Sequence, residues 1–149
     1  MKIMTCAVAA SMLLAGAAQA GEWRIIGADQ ATATFLDTST IRIPAQGAKK
    51  TAWLAHGLAA TDAQGIDYFM TQIEFDCAAM TLAEQSVHAY SLAGQVVESS
   101  TTRKPAEPVI PDTRGQQMHR AVCDGTDVAA SERVTEVLAL YRQILAEDD

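Results

Sequence analysis

Positive charge is scarce in this chain. Its 149 residues include 11 lysines and arginines against 18 aspartates and glutamates, which gives a formal net charge of −7 at pH 7. Only Lys49-Lys50 and Arg103-Lys104 place two basic residues side by side. Nucleic-acid binding needs clustered positive charge that neutralises phosphates. We therefore expect no nucleic acid among the partners of this protein.

Recognised motifs of catalysis and cofactor binding are also missing. The sequence contains no Cys-x-x-Cys, His-Glu-x-x-His or Gly-x-Ser-x-Gly, and no phosphate-binding glycine loop. The three histidines, His56, His88 and His119, lack the close spacing of metal ligands, so only folding would bring them together. We predict no enzyme activity, no cofactor and no metal. One alternative stays open, a pair formed by His56 and His88 on neighbouring strands.

Two polar clusters have both a functional and a plain interpretation. Glu74 and Asp76 lie two residues apart on one face of a predicted strand, where paired carboxylates are able to act as acid and base. The regular alternation around them favours a solvated polar face instead. Arg103-Lys104 is compatible with a peptide-binding segment, but the prolines that follow are more typical of a loop crossing the sheet.

Long apolar stretches are absent except at the N-terminus. Residues 1–20 combine Lys2, an apolar run and the small-x-small sequence Ala18-Gln19-Ala20, which is the pattern of a secretion signal cleaved after Ala20. No later stretch reaches the ~20 apolar residues that a membrane-spanning helix needs. We therefore expect a mature protein in the periplasm, at the cell surface or outside the cell.

Cysteine occurs only three times. Cys6 lies in the predicted signal, so Cys77 and Cys123 are the cysteines expected in the exported chain. Exported domains with two cysteines usually join them, and a redox role would need a closer spacing. The sequence therefore predicts a structural disulfide between Cys77 and Cys123.

Alternating apolar and polar residues predict a series of short strands. The expected strands cover residues 23–28, 32–36, 41–43, 49–58, 66–77, 80–92 and 95–99. The alternation is clearest in 66–77, where Phe75 and Cys77 lie on the predicted core face and Tyr68 on the solvated one. Residues 37–40 have turn chemistry. Residues 100–113 contain three prolines and are predicted as an extended connector rather than a strand.

Helical periodicity replaces the strand pattern after Asp112. Residues 113–123 are predicted to form a short helix that brings Cys123 back to the sheet. Asp127 is the expected N-cap of an amphipathic helix over 128–146, whose apolar stripe covers the sheet or, as the alternative, forms a homodimer contact. The predicted fold is α+β: an antiparallel meander of about six strands, a C-terminal helix packed on it and one disulfide. The corresponding segments are a signal (1–20), a sheet domain (21–126) and the helix (127–149).

Five segments resemble, in order, landmarks of the bacterial surface-adhesin protein E family. They are Phe35-Leu36-Asp37-Thr38-Ser39-Thr40-Ile41, with Thr40 in place of a serine; Trp53; the cysteine-ended strand 68–77; Tyr90 with Gly94-Gln95-Val96-Val97; and Pro111-Asp112-Thr113 followed by Cys123. The resemblance covers residues 23–124. It implies a small antiparallel sheet joined to a helix by a disulfide, in a surface or periplasmic setting. The named members of this family bind host extracellular-matrix and serum proteins.

Two features of the chain depart from the family pattern. It lacks the lipidated cysteine of surface-anchored members, and it continues into a helix after Cys123.

The sequence predicts an exported, non-enzymatic binding protein of the bacterial envelope or surface, adhesin-like, whose partner is a macromolecule and foremost a protein. The alternatives are a periplasmic structural or envelope-associated protein, and a small periplasmic enzyme or inhibitor.

Overall fold

An antiparallel sheet forms the centre of the protein, which is described by a computed structural model for residues 21–44, 49–125, 130–131 and 133–147. Within these residues six longer strands follow one another as a meander. They are β1 (Trp23–Ala28), β2 (Thr32–Arg42), β3 (Lys49–Leu58), β4 (Tyr68–Asp76), β5 (Thr81–Tyr90) and β6 (Val96–Ser100). Each strand pairs antiparallel with the next. The predicted meander is confirmed.

Two short strands and two helices complete the described part of the chain. Strand β7 (Glu107–Pro108) pairs with the beginning of β5, and β8 (Ala130–Ser131) pairs with β1. The helices are α1 (Arg114–Cys123) and α2 (Val134–Glu147). The order across the sheet is β6-β5-β4-β3-β2-β1-β8. No helix within the described residues has the length and apolar character needed to cross a membrane.

The two helices cover opposite faces of the sheet. Because side chains alternate along a strand, Leu36 and Phe35 belong to separate cores. The core under α1 contains Leu36, Ala52, Leu54, Ile73, Phe75, Met118, Ala121 and Val122. The core under α2 contains Trp23, Ala33, Phe35, Ala55, Tyr68, Val137, Leu138 and Tyr141. We call these surfaces the α1 face and the α2 face. The predicted packing of the last helix on its own sheet is confirmed.

Helix α1 is fixed at both ends. Thr113 is the N-cap, and its side chain accepts a hydrogen bond from the Gln116 backbone, as such caps do. At the other end a disulfide joins Cys123 to Cys77. The Lys50 ammonium donates to the Val122 and Cys123 carbonyls, where a cation favours the helix dipole. The predicted short helix and the predicted disulfide are both confirmed.

Residues 37–40 do not form the predicted turn, since β2 continues through them with an irregular register. The Asp37 carboxylate accepts from the Ser39 N–H and hydroxyl, at 3.0 and 2.6 Å. The Thr40 hydroxyl oxygen accepts from the Trp53 N–H at 2.9 Å. The short polar side chains therefore satisfy backbone groups inside a bulged strand, as they would in a turn. The separate strand predicted at 41–43 is the end of β2.

Three further predictions are corrected by pairing or packing between distant segments. The connector contains a strand, because Glu107–Pro108 pairs with β5. The last helix begins at Val134 rather than at 128, and Ala130–Ser131 pairs with β1 instead. Tyr68 is buried under α2 rather than solvated. The predicted signal at 1–20 and the predicted N-cap Asp127 lie outside the described residues.

Candidate binding site

The α1 face is covered only in part, and two adjoining hollows lie in a part that the helix leaves open. The first has a volume of about 380 Å³ and lies between α1 and the segment that leads into β7. Its lining is His56, Phe69, Thr71, Ile73, Leu82, Glu84, Val87, Lys104, Pro105, Glu107 and Met118. The second, of about 160 Å³, reaches β6 and is lined by Phe69, Val87, Ala89, Glu98, Ser99 and Ser100. Because the hollows share Phe69 and Val87, we call them together the groove.

Strand pairing explains why these side chains meet. Phe69 and Thr71 are two residues apart on β4 and point to the same face. Phe69 pairs with His56 of β3 and with Ala89 of β5, and Thr71 pairs with Val87. The floor of the groove is therefore a continuous surface across β3, β4 and β5, and most of it is apolar.

The rim of the groove carries more negative than positive charge. The Lys104 ammonium lies 2.8 Å from a Glu84 carboxylate oxygen. This hydrogen bond and the charge of Glu84, with a smaller contribution from Glu107, raise the pKa of Lys104 above its ordinary value. Glu98 adds another carboxylate where the groove reaches β6. Three carboxylates face one ammonium, so the rim favours a ligand with positive charge.

At the other end of the groove a polar chain connects the sheet to α1. His56 Nδ1 and Thr34 Oγ1 are 3.3 Å apart, and the Arg114 guanidinium donates to Thr34 Oγ1 at 2.9 Å. Arg114 also forms an ion pair with Asp29 at 2.6 Å. Burial and the positive charge of Arg114 lower the pKa of His56, against the opposing charge of Glu84. The imidazole is therefore neutral at pH 7.

The histidines do not converge. His56 pairs with Phe69 and His88 with Met70, which are consecutive residues of β4. The two histidines therefore lie on opposite faces with a strand between them, and the metal pair left open by the sequence is wrong. On the α2 face, His88 packs beside the Trp53 ring, with centroids 5.8 Å apart.

A compact group of metal-ligand residue types does occur beside α1. The ligand atoms of Cys77, His119 and Cys123 all lie within 4.8 Å of one another. The two sulfurs are joined in the disulfide, so neither is the thiolate that binds a metal. His119 is buried, with its Nε2 3.3 Å from the Asp76 carbonyl oxygen. In this state the group joins the helix to the sheet.

The paired carboxylates of β4 have structural partners. Glu74 accepts hydrogen bonds from Lys49 at 2.8 Å and from Arg103 at 2.9 Å. Asp76 accepts from the Ala79 N–H at 2.8 Å, which fixes the turn into β5. The side chains therefore hold neighbouring segments together, and Arg103 serves the same purpose.

The groove is not predictable from local sequence, because its walls come from distant segments. The strong alternation in 66–77 placed Phe69 on the core face. Nothing local indicates that α1 stops short of this residue. The prolines of the connector were the one available signal, since they indicate an extended segment lying along the sheet. Pro105 lies in that segment and lines the groove.

Comparison with known families assigns the chain. The surface-adhesin protein E family matches residues 23–124. The chain belongs to this family. No protein with curated annotation matches significantly.

A solved structure of protein E shares the fold. The structure of Haemophilus influenzae protein E matches 83% of this chain and 92% of its own, at 15% identity and a TM-score of 0.50. A crystal structure of protein E from non-typeable Haemophilus influenzae matches 93% and 96%, at 12% identity and a TM-score of 0.48. At such low identity the likeness concerns the fold alone.

The segments that resemble the family include residues with clear structural roles. Asp37 and Thr40 organise the bulge of β2. In the Pro-Asp-Thr segment, Asp112 has a positive φ of 57° and Thr113 caps α1. These residues are not part of the groove lining. Part of the resemblance to the surface-adhesin protein E family therefore comes from residues that stabilise the fold. What the groove binds has to be inferred from the side chains that line it.

Proposed function

We propose that this protein is an exported, non-enzymatic binding protein of the bacterial envelope or surface, with an adhesin-like role. Family membership supports the adhesin-like role. The signal pattern of residues 1–20, with cleavage after Ala20, supports export. A structural disulfide is the usual feature of a domain that functions in an oxidising compartment.

The observation that carries the proposal is the groove. Its apolar floor opens towards β6, where all five residues are exposed. A surface that is apolar, rimmed by charge and continuous with an exposed strand is typical of protein recognition. The partner we propose is a macromolecule, foremost a host serum or matrix protein.

The ionisable groups singled out by the sequence support a non-enzymatic role. Glu74 and Asp76 hold the neighbouring segments, and the two cysteines are joined. His56, the histidine in the groove, lies beside the Thr34 hydroxyl. General acid–base catalysis needs a titratable group poised towards a substrate, and Glu74 and Asp76 are instead engaged with the fold.

Localisation and binding are both testable. Intact cells that produce the full chain are probed with antibody and then fractionated, and the exported chain is passed over immobilised serum and matrix proteins. We expect surface or secreted protein and retention at physiological salt. Retention should fall for Val87→Ser in the groove. It should persist for His88→Ser, the adjacent residue on the opposite face. Protein confined to the periplasm would contradict the adhesin-like role, and equal retention of the two variants would contradict binding in the groove.

A further inference from the structure

The two edges of the sheet are formed in different ways. At one edge β8 pairs with β1, placing Ser131 opposite Trp23. At the other edge the chain lies along β5 in two pieces. Strand β6 pairs with the second half of β5, and β7 pairs with its first residues. An edge strand presents unpaired N–H and C=O groups, and proteins usually protect these groups from further pairing.

The β7 half of this edge is protected by proline. Pro105 and Pro108 have no N–H, so this stretch donates few hydrogen bonds to any added strand. The N–H of Lys104, between β6 and β7, is already used by the Glu84 carbonyl at 2.9 Å. Proline on an edge strand is a common protection against strand addition.

The β6 half has no such protection. It contains no proline, and its residues are all exposed, including Val96 at 56% and Val97 at 44%. In the described part of the sheet β6 is the last strand and pairs on one side only, with β5. An exposed edge strand with apolar residues is the surface to which extended peptides add as a further strand.

The groove begins beside this unprotected edge. Glu98 and Ser100 of β6 line the hollow that continues to Phe69 and Val87. Adjacent strands lie about 4.8 Å apart, and every second side chain of an added strand points to the same face. Long side chains of such a strand, extending back across β6, would meet Glu98 first and the apolar floor behind it.

The charge of the groove rim favours one type of side chain in the added strand. The rim carries Glu84, Glu98 and Glu107 against Lys104, and the whole chain has a net charge of −7. Lysine and arginine combine an aliphatic stem with a terminal charge. Such a side chain suits this surface, because its terminal charge is attracted by Glu98 on β6 and its aliphatic stem tolerates the apolar neighbours Val87 and Ala89.

We propose that β6 accepts an extended, basic peptide segment of the partner protein as an additional strand, with lysine or arginine side chains entering the groove past Glu98. The inference rests on the proposed function, since it specifies the chemistry of the partner segment and its mode of attachment. Hydrogen bonds to the β6 backbone provide affinity, and the acidic rim provides selectivity.

The first test uses synthetic peptides. The exported chain, with its disulfide intact, is titrated with a short fluorescent peptide that alternates lysine and threonine. One control peptide replaces lysine by glutamate, and another carries N-methyl groups on alternate amides. We expect binding of the lysine peptide and at least about tenfold weaker binding of both controls, since a tenfold change corresponds to about 1.4 kcal/mol. Equal binding of the glutamate peptide, or of the N-methylated one, would overturn the proposal.

The second test changes the protein. Glu98→Lys is compared with Glu147→Lys, which makes the same change of net charge at the exposed end of α2 on the opposite face. We expect about tenfold weaker binding of the lysine peptide for Glu98→Lys and little change for Glu147→Lys. Hydrogen exchange should slow in β6 when the peptide binds. Equal effects of the two substitutions, or unchanged exchange in β6, would refute strand addition.

Parallel measurements separate this inference from the proposed function. If Glu98→Lys abolishes peptide binding but the variant is still retained by serum or matrix proteins, while Val87→Ser is not, the partner uses the apolar floor of the groove without adding a strand at β6; the inference then fails and the function stands. If the lysine peptide binds but the native chain is not retained, the function fails and the peptide site stands. Sedimentation of the peptide-free chain tests another occupant. A dimer that buries β6 would show that a second copy takes this edge, against the proposal.

Discussion

The α1 face and the α2 face of the sheet are held by different means. On the α1 face, the disulfide between Cys77 and Cys123 ties the end of the helix to the sheet. On the α2 face, the helix is held by packing around Leu138 and by an ion pair between Arg142 and Asp67. A covalently tied helix is able to cover a small area and leave a groove open beside it. A helix held by packing depends on larger buried side chains, here Leu138 and Tyr141.

The close approach of α2 is visible at Gly57. A Cβ atom at this position would lie 2.6 Å from Leu138 Cδ1 and 2.8 Å from Phe35 Cε2, closer than van der Waals contact allows. Only glycine leaves room for the helix at this distance. Tyr141 and Arg142 add hydrogen bonds to the carbonyls of Asp29 and Leu58, at 2.9 and 3.0 Å. The α2 face is therefore a close-packed interface with polar contacts beside it.

Helix α1 buries three apolar side chains, as α2 does, but they are smaller. Its buried apolar side chains are Met118, Ala121 and Val122. Its first residue, Arg114, contributes polar contacts to Thr34 and Asp29 instead. Two of the three apolar side chains are small, so the disulfide is expected to supply a large share of the attachment on this face.

The largest expected effect is the loss of the disulfide. The double variant Cys77→Ala/Cys123→Ala removes a bond across a sequence separation of 46 residues. The chain-entropy relation gives about 4 kcal/mol for such a loop. Thermal unfolding should show a markedly lower Tm, and hydrogen exchange should increase in α1 more than in α2. An unchanged melting curve, or exchange that increases equally in both helices, would contradict the comparison of the two faces.

The next effect is expected on the α2 face. Leu138→Ala removes a side chain with no solvent exposure and should cost about 3 kcal/mol. Leu140→Ala is the matched control, because Leu140 lies on the same helix and is 49% exposed. Its effect should be within about 0.5 kcal/mol. Denaturant unfolding measures both, and similar losses for the two variants would show that α2 does not pack as described.

The ion pair between Arg142 of α2 and Asp67 makes a smaller contribution to stability, and this contribution depends on pH. Asp67 is 4% exposed, and its carboxylate lies 2.9 Å from Arg142. Burial raises the pKa of Asp67, but hydrogen bonds from Thr61, Arg142 and the Leu92 N–H outweigh burial and hold that pKa below its ordinary value of 3.8. Ionised Asp67 therefore stabilises the fold above about pH 3.8, and this contribution is lost as the pH falls through the folded-state pKa.

Arg142→Gln tests this contribution. The loss of a hydrogen bond between charged groups should cost about 2 kcal/mol at pH 7. Acid unfolding should begin at a higher pH, because one of the influences that lower the pKa of Asp67 is gone. Arg133→Gln is the control, since its 4.0 Å contact with Glu136 is solvent-exposed and worth little. Acid-unfolding curves followed by circular dichroism should separate the two variants, and coincident curves would argue against the role of the pair.

The smallest effect on stability is expected for substitution of His56, which lies on the α1 face. Burial and Arg114 lower the pKa of His56 below its ordinary value of 6.5. Below this pH the unfolded chain takes up a proton that the folded protein resists. Stability should therefore be complete above about pH 6.5 and decline as the pH falls towards the folded-state pKa. His56→Gln should flatten Tm between pH 8 and pH 5. An unchanged slope in His56→Gln would contradict this account.

Much of the fold is predictable from patterns that involve near neighbours. The alternation in 66–77 predicts β4, and Thr113 marks the start of α1. The family resemblance is also readable in sequence, because Asp37 and Thr40 form contacts that the fold requires. The candidate site is different. His56, Val87 and Lys104 come from three segments, and only their pairing across the sheet places them together.

The sequence by itself determined most of the six longer strands, the beginning of α1 and the pairing of Cys77 with Cys123, because periodicity, capping and cysteine count act locally or by composition. Tertiary structure decided the rest. Residues 37–40 stay in β2 because β3 supplies the Trp53 N–H, and Ala130–Ser131 form a strand because the edge of β1 accepts them. The groove exists because α1, which contributes Met118 to its lining, leaves Phe69 and Val87 uncovered. Each of these outcomes depends on the backbone groups and apolar area that a distant segment offers, which no local pattern encodes.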